Sequence, residues 1–322
     1  MIEREQQLLS ILSDGCYHSG QALGAALGIS RAAVWKLVQQ LQAKQVPVVS
    51  RQGRGYCWAG AADVLSVEAI ARALPEAAAT QLEVLWQTPS TNSLLLDAAR
   101  MGSIHRRVIL AEQQTAGRGR RGRAWLSPLA QNLYLSIGWH FEQGVAQVEG
   151  LSLAVGVAVV NTLESLGFQG LALKWPNDIW LDGRKLAGVL IEVGGDLSGQ
   201  FHLVLGLGLN SHMPVDEAKA QGWASLLEQQ TLSRNQLAAH LIHALSQLLD
   251  DFPARGFGFY QAQWNDLNGL AGQTVLIDQA GVWEEGVCIA AAANGGLQVH
   301  TNAGLKTLLG GEVSLRPMPV KA

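Results

Sequence analysis

Apolar positions recur with helical spacing three times in the first 44 residues. Leu8, Leu9 and Leu12 share one face of a helix at 5–13, which Asp14-Gly15 stops, and Leu23, Ala26 and Leu27 line a second short helix after Ser19. Gly28-Ile29 makes a tight turn and Ser30 stands as an N-cap. Val34, Leu37, Val38 and Leu41 then repeat at i, i+3, i+4 and i+7 through a third helix at 31–44. Two short apolar runs, 46–50 and 55–58, are joined by Arg51-Gln52-Gly53-Arg54 and predict a hairpin with arginines at its tip. This order is a winged helix-turn-helix, the grammar of a major-groove reader. Ser30, Arg31, Ala32, Lys36, Gln39 and Gln40 on the third helix, with Arg51 and Arg54 on the wing, are the candidate DNA contacts. A plain interaction module with a solvated polar face is the rival reading, but it does not account for cap, turn and basic wing arriving in sequence.

Beyond residue 63 the pattern changes to longer apolar runs rich in alanine, leucine and valine, so the linker falls at 59–62. A helix at 67–74 leads to a strand at 82–86. Pro89-Ser90-Thr91-Asn92 then precedes a helix at 93–98, and strands at 108–111 and 133–140 flank a glycine- and arginine-rich loop. A long apolar helix at 148–166 is followed by an antiparallel meander at 171–175, 179–181, 185–193 and 201–210, with Asp182-Gly183 as a hairpin turn. Short strands at 274–278, 286–290, 297–300 and 311–315, with turns at Ala280-Gly281, Asn294-Gly295-Gly296 and Ala303-Gly304, predict a small terminal β barrel. The expectation is an α+β chain of three units, 1–62, 63–271 and 272–322.

Composition bounds the function. With 322 residues, 48% hydrophobic and 15% charged, the chain reads as a soluble globular protein of two or three domains. The opening Met1-Ile2-Glu3-Arg4-Glu5 is unlike a signal peptide, and the longest apolar stretch, 151–160, is too short to span a bilayer. Cys16, Cys57 and Cys288 lie far apart and form no metal-ligand spacing, which suits a reducing cytoplasm. Residues 1–60 carry six Lys/Arg against three acids, while the remainder has 17 against 23. A basic head on an acidic body meets a polyanion with the head alone. So modest an excess neutralises few phosphates, and tight binding needs two copies on a two-fold-related operator.

The strongest chemistry lies at Gly117-Arg118-Gly119-Arg120-Arg121-Gly122-Arg123. Glycine lets the backbone approach a ligand, and each guanidinium offers a fork of donors to phosphate or carboxylate. The string also satisfies G-x-G-x-x-G, with Glu142 downstream as a ribose acid. A dinucleotide fold needs a helix opening at the glycines, whereas only ten residues, Pro128 among them, separate Gly122 from the next apolar run. The segment is a loop between strands.

Together with Trp125, Ser127-Pro128, Lys174-Trp175-Pro176-Asn177-Asp178 and Arg184-Lys185-Leu186-Ala187-Gly188, the arginine loop resembles the biotin protein ligases. The winged helix in front makes the chain similar to the bifunctional members, ligase and repressor of the biotin genes in one. The resemblance spans essentially the whole chain. It implies a mixed α/β ligase domain related to class II synthetases and an SH3-like C-terminal barrel. It also implies ATP and Mg²⁺ as requirements, and biotin as both substrate and corepressor precursor. Biotinyl-adenylate forms first; a lysine of a biotin carboxyl carrier protein then takes the biotin. The adenylate-bound form pairs as a homodimer on operator DNA, and no membrane is involved. Ser90, Thr91, Asn92, Gln114, Gly117, Arg118, Gly119, Arg120, Trp125, Lys185 and Asn210 match the biotin and adenylate contacts. Arg121, Arg123, Asn177 and Arg316 fall to ATP, and Asn177 and Asp178 to the metal. Lys185, Arg118 and Asp178 carry the catalytic roles, and 211–221 is an adenylate loop. Lipoate ligation, or a biotin-sensing repressor without ligase activity, are the competing readings. The arginine loop and the head argue against the first. Lys185 with all four loop arginines argues against the second.

Overall fold

The computed structural model describes residues 2–59, 63–75, 81–142, 144–196, 198–279, 282–310 and 313–317. The expected linker residues 60–62 and the turn at Ala280-Gly281 lie outside them. The head folds as α1 (Ile2–Leu12), α2 (Gly20–Leu27), α3 (Arg31–Ala43) and a hairpin of β1 (Val48–Arg51) and β2 (Gly55–Trp58). Ser19 and Ser30 cap α2 and α3 by accepting from Ala22 N and Ala33 N at 3.0 and 3.2 Å, satisfying donors that the helices cannot. Gly28 adopts φ +62°, the left-handed turn between them.

The body is organised by α4 (Val67–Ala73), β3 (Gln81–Leu85), α5 (Thr91–Ala99), β4 (Arg107–Ala111), β5 (Leu133–Phe141) and α6 (Leu151–Ser165). Next come β6 (Leu171–Lys174), β7 (Asp178–Leu181), β8 (Arg184–Gly195), β9 (Phe201–Leu209), α7 (Val215–Ala220), α8 (Arg234–Arg255) and α9 (Gln261–Asp266). Its seven strands run β3-β4-β5-β9-β8-β7-β6, antiparallel throughout except for the parallel β3–β4 pair. The antiparallel β4–β5 pairing bears out the rejection of a dinucleotide crossover. Alternation within β4 divides the core. Val108 and Leu110 join the large cluster shared with α4, α6 and α8, while Ile109 meets Leu95 of α5 and Val204 on the opposite face.

The long helix α8, the short α7 and α9 and one C-terminal strand are elements that sequence reading omitted. A correction also concerns the apolar run: Val145–Ser165 has the length and composition of a membrane span. Its helical part α6 is apolar nearly all round because it is packed between the sheet and α8.

β10 (Thr274–Gln279), β11 (Val282–Ala291), β12 (Leu297–Thr301), β13 (Gly304–Leu308) and β14 (Val313–Pro317) form a five-stranded antiparallel sheet, ordered β13-β12-β11-β10-β14. Its buried residues Val275, Ile277, Leu297 and Val299 belong to the same cluster as the body's core. Trp175 Nε1 donates to Gly295 O at 3.0 Å and Gln261 Nε2 to Ala291 O at 2.8 Å, further tying this sheet to the body.

The head keeps its own core, into which Trp86, Leu129 and Ala130 of the body insert. Beside them, buried Glu5 accepts from Lys44 Nζ at 2.7 Å and from Trp86 Nε1 at 3.4 Å, and Gln131 Nε2 donates to Gln45 O at 2.7 Å. Where the chain leaves the linker, Arg234 is fully buried and donates to both oxygens of Glu112 at 2.7 and 3.1 Å, to Asn132 O at 3.2 Å and to Asp63 O. Glu112 also accepts from Leu65 N at 2.6 Å. Removing the charge of one partner strands the other in a dry interior. Glu112→Ala is therefore expected to cost about 3–5 kcal/mol in chemical denaturation. The double change Glu112→Leu with Arg234→Met is expected to recover much of that loss.

Candidate active site

The site begins at the turn into α5. Ser90 Oγ accepts from Ser93 N at 3.4 Å, and the Thr91 backbone N–H donates to Gln114 Oε1 at 2.9 Å. Gln114 reaches Ser127 Oγ through Nε2 at 3.3 Å. Under this turn lies Ser136, fully buried on β5, whose hydroxyl is 2.7 Å from Thr91 Oγ1 and 2.5 Å from Asn92 Oδ1. Asn92 Nδ2 donates to Glu192 Oε2 at 2.8 Å. One hydrogen-bonded chain thus joins α5, β5, β8 and the loop after β4, and every polar side chain in it has a partner.

Glycines make the floor. A Cβ on Gly206 would stand 2.3 Å from Asn92 Oδ1, and one on Gly208 2.5 Å from the Trp125 ring. The arginine loop closes as a narrow hairpin: Gly119 N donates to Arg123 O at 2.7 Å and Trp125 N to Gly117 O at 2.8 Å. Arg121 at φ +59° and Gly122 at φ +69° take the left-handed turn at its tip. Trp125 Nε1 is buried without a hydrogen-bond partner among the described residues, an indole donor held at the cavity.

The cations converge from separate elements. Arg118 Nη2 lies 3.1 Å from Ser93 Oγ and 3.2 Å from Glu192 Oε1. Arg120 Nη1 donates to Asn177 Oδ1 at 3.4 Å, and burial lowers its pKa from the ordinary arginine value. Lys185 Nζ pairs with Asp178 Oδ1 at 2.6 Å and lies 5.3 Å from the Trp125 ring centroid. The β7–β8 hairpin brings these two together.

Two adjoining cavities share Gly119, Trp125 and Lys185. The first is lined by Ser90, Thr91, Asn92, Gln114, Arg118 and the glycine floor, and the second by Arg120, Arg123, Lys174, Asp178, Asn210 and Trp223. Of the residues expected for biotin and adenylate, Gly117, Arg120 and Asn210 stand apart from the first cavity, Arg120 lining only the second. Gly117 supports the loop, and a Cβ there would meet Trp125 O at 2.7 Å. Asn210 is buried and donates to Ala224 O at 3.2 Å. Two nucleotide candidates line neither cavity: Arg121 turns to Asp278 of the C-terminal sheet at 3.8 Å, and Asn177 is anchored on Val189 O at 2.7 Å beside Arg120. Arg316 pairs through its backbone with Leu276, and its side chain lies outside the described residues. Ser136, Glu192 and Trp223 were missed, and Lys174, quoted within the motif at 174–178, was given no role of its own. Ser136 and Glu192 are polar interruptions of apolar strands, the signal that sequence reading passed over.

On the head, Ser30, Arg31, Ala32, Lys36, Gln39, Gln40, Arg51 and Arg54 are all exposed. Arg54 lies over the Tyr17 ring at 4.6 Å, which stiffens the wing. Trp35, 53% exposed on α3, is an added candidate for a base contact.

A carboxylate- and phosphate-handling cavity on a mixed sheet, carried behind a winged head, defines a two-function ligase with a DNA-reading module. The chain belongs to the biotin protein ligase family in its bifunctional ligase/repressor form. Residues 84–210 match the biotin/lipoate A/B protein ligase family, and residues 4–57 match an HTH domain. The bifunctional ligase/repressor BirA of Salmonella typhimurium is 39% identical over 313 residues, 96% of each chain. That of Escherichia coli K12 is 38% identical over 314 residues with the same coverage. Among solved structures, the biotin protein ligase from Aquifex aeolicus in complex with biotin and ATP aligns with a TM-score of 0.63 and 27% identity, over 74% of this chain and 99% of that one.

Beside the site, burial pushes the His212 imidazole down to about 4, with Arg234 adding repulsion. The folded protein holds His212 neutral, whereas the unfolded chain takes up a proton below about pH 6.5. Stability is therefore expected to fall as pH drops from about 6.5 to about 4, by up to about 3 kcal/mol from this group. His105 and His202, also lowered by burial, add to the same slope. Denaturation curves across that window should flatten in His212→Gln.

Proposed function

We propose that this protein joins biotin to ATP, giving biotinyl-5′-AMP and pyrophosphate, and passes the biotin to a lysine of a carboxylase carrier domain. The observation that carries this reading is the convergence of Arg118, Arg120 and Lys185 on two adjoining cavities. In the first step a biotin carboxylate oxygen attacks the α-phosphorus and the bond to the β-phosphate breaks. The barrier is repulsion between anions and the charge of the pentavalent transition state, and fixed cations lower both. Ser90, Thr91, Asn92 and Gln114 would hold the biotin head group, Arg118 its carboxylate, and Arg120, Arg123 and Lys185 the α-phosphate. Trp125 would cover the adenylate and keep water from the anhydride.

In the second step the acceptor's neutral amine attacks the acyl carbon, the bond to AMP breaks and the amine's proton is lost to a base. Asp178 holds Lys185 in position and is the candidate base. Among the described residues no three His, Cys, Asp or Glu side chains gather to hold a metal ion. Asp178 alone fits the usual Mg²⁺ arrangement, in which one carboxylate joins oxygens that arrive with the nucleotide. When bound, Mg²⁺ would neutralise phosphate charge.

The head supports the second activity, repression of biotin synthesis genes in the cytoplasm. The adenylate-bound form would pair into a homodimer and present two heads at operator spacing, by coupling of one site to another. Purified protein given ATP, Mg²⁺ and biotin is expected to release pyrophosphate and label a carrier lysine, and with lipoate in place of biotin to do neither. The reverse preference would assign it to lipoate. Lys185→Met is expected to lose at least about 10²-fold in pyrophosphate release, the scale of one preorganised donor. Sedimentation equilibrium should show dimers on adding biotin and ATP; an unchanged monomer would refute the coupling.

A further inference from the structure

Glu192 is a carboxylate bonded to Arg118 and Asn92, two side chains that line the first cavity. It stands on β8 between Ile191 and Val193, opposite Val204 of β9, with its side chain only 25% exposed. Its two oxygens lie 3.2 and 3.4 Å from Arg118 Nη2, and one of them also accepts from Asn92 Nδ2 at 2.8 Å. Asn92 is thereby fixed at both ends, its Oδ1 on Ser136 and its amide nitrogen on Glu192.

We propose that Glu192 is a positioning residue that sets the affinity for the substrate's carboxylate by competing with it for Arg118 while holding Asn92 in register. The proposal rests on the assignment of this cavity to biotin. An arginine on a glycine-rich loop is kept at the rim by a counter-charge, and Glu192 supplies one. The same carboxylate repels an acid approaching the guanidinium, so two like charges share a single cation. The consequence is weaker ground-state binding of biotin with little effect on the chemical step, since a uniform binding change moves KM and spares kcat.

Glu192→Gln tests this, because the amide oxygen still accepts from Asn92 while the charge is gone. Biotin binding by calorimetry in the absence of ATP is expected to tighten about twofold to fivefold, the range for partly exposed ion pairs. Pyrophosphate-release kcat at saturating biotin is expected to stay within about twofold. Glu192→Asp, which keeps the charge, should show no gain. In an Arg118→Gln background the Glu192→Gln gain should vanish, a coupling that a merely structural role would not produce. Glu192→Gln binding biotin as wild type or more weakly overturns the proposal, as does a gain that survives without Arg118. A wild-type protein that neither binds biotin nor releases pyrophosphate sinks the ligase reading and this proposal with it. A wild type that does both while Glu192→Gln changes nothing sinks this proposal alone.

Discussion

The buried pair between Arg234 and Glu112 is the constraint around which the chain is arranged. A guanidinium without solvent exposure is tolerable only if its donors are met, and here Glu112, the Asn132 carbonyl and the Asp63 carbonyl meet them. These acceptors come from three distant segments. Asp63 opens the body after the linker, Glu112 directly follows β4 and leads into the arginine loop, and Asn132 immediately precedes β5. Asn132 also accepts from Met213 N through its side chain at 3.2 Å, so the loop after β9 is drawn into the same knot. Strand ends that would otherwise splay are thereby held within reach of one another.

Glycine performs the complementary task. Strand β9 is largely buried and needs apolar side chains on one face, yet at Gly206 and Gly208 a side chain would collide with Asn92 and Trp125. The alternation of β9 thus serves the core on one side and leaves a floor on the other. Polar groups are placed on that floor only where they are satisfied, through Ser136, Asn92 and Glu192 in series. Among the described residues that line the first cavity, the buried side-chain donor left without a partner is the Trp125 indole.

Much of this was legible in the sequence because its signals are local. Serine caps at 19 and 30, the glycine turn at 28 and the i, i+3, i+4 leucines determine the head without reference to anything distant. Alternation and the Asp182-Gly183 turn revealed the meander, and the arginine cluster marked the cavity. What escaped depends on tertiary partners. Helix α8 has no single conspicuous stripe in its sequence, since both α4 and α6 pack against it. Ser136 and Glu192 look like flaws in apolar strands until Asn92 and Arg118 are brought opposite them. Arg121 was grouped with its neighbours by composition, but the left-handed turn at that very residue sends it towards Asp278 instead.

The segment 127–132 shows how site and head are joined mechanically. Ser127 accepts from Gln114 at the cavity, Leu129 and Ala130 are buried in the head's core, Gln131 donates to Gln45 just past the end of α3, and the Asn132 carbonyl is held by Arg234. Ala130 takes φ +59°, a conformation that costs an alanine about 1 kcal/mol or more and persists only where its surroundings impose it. Its N–H is bound to Glu112 O at 3.0 Å and its methyl is enclosed, so the surroundings do impose it. Six consecutive residues therefore touch the cavity lining, the head's core, the chain just past α3 and the buried ion pair in turn.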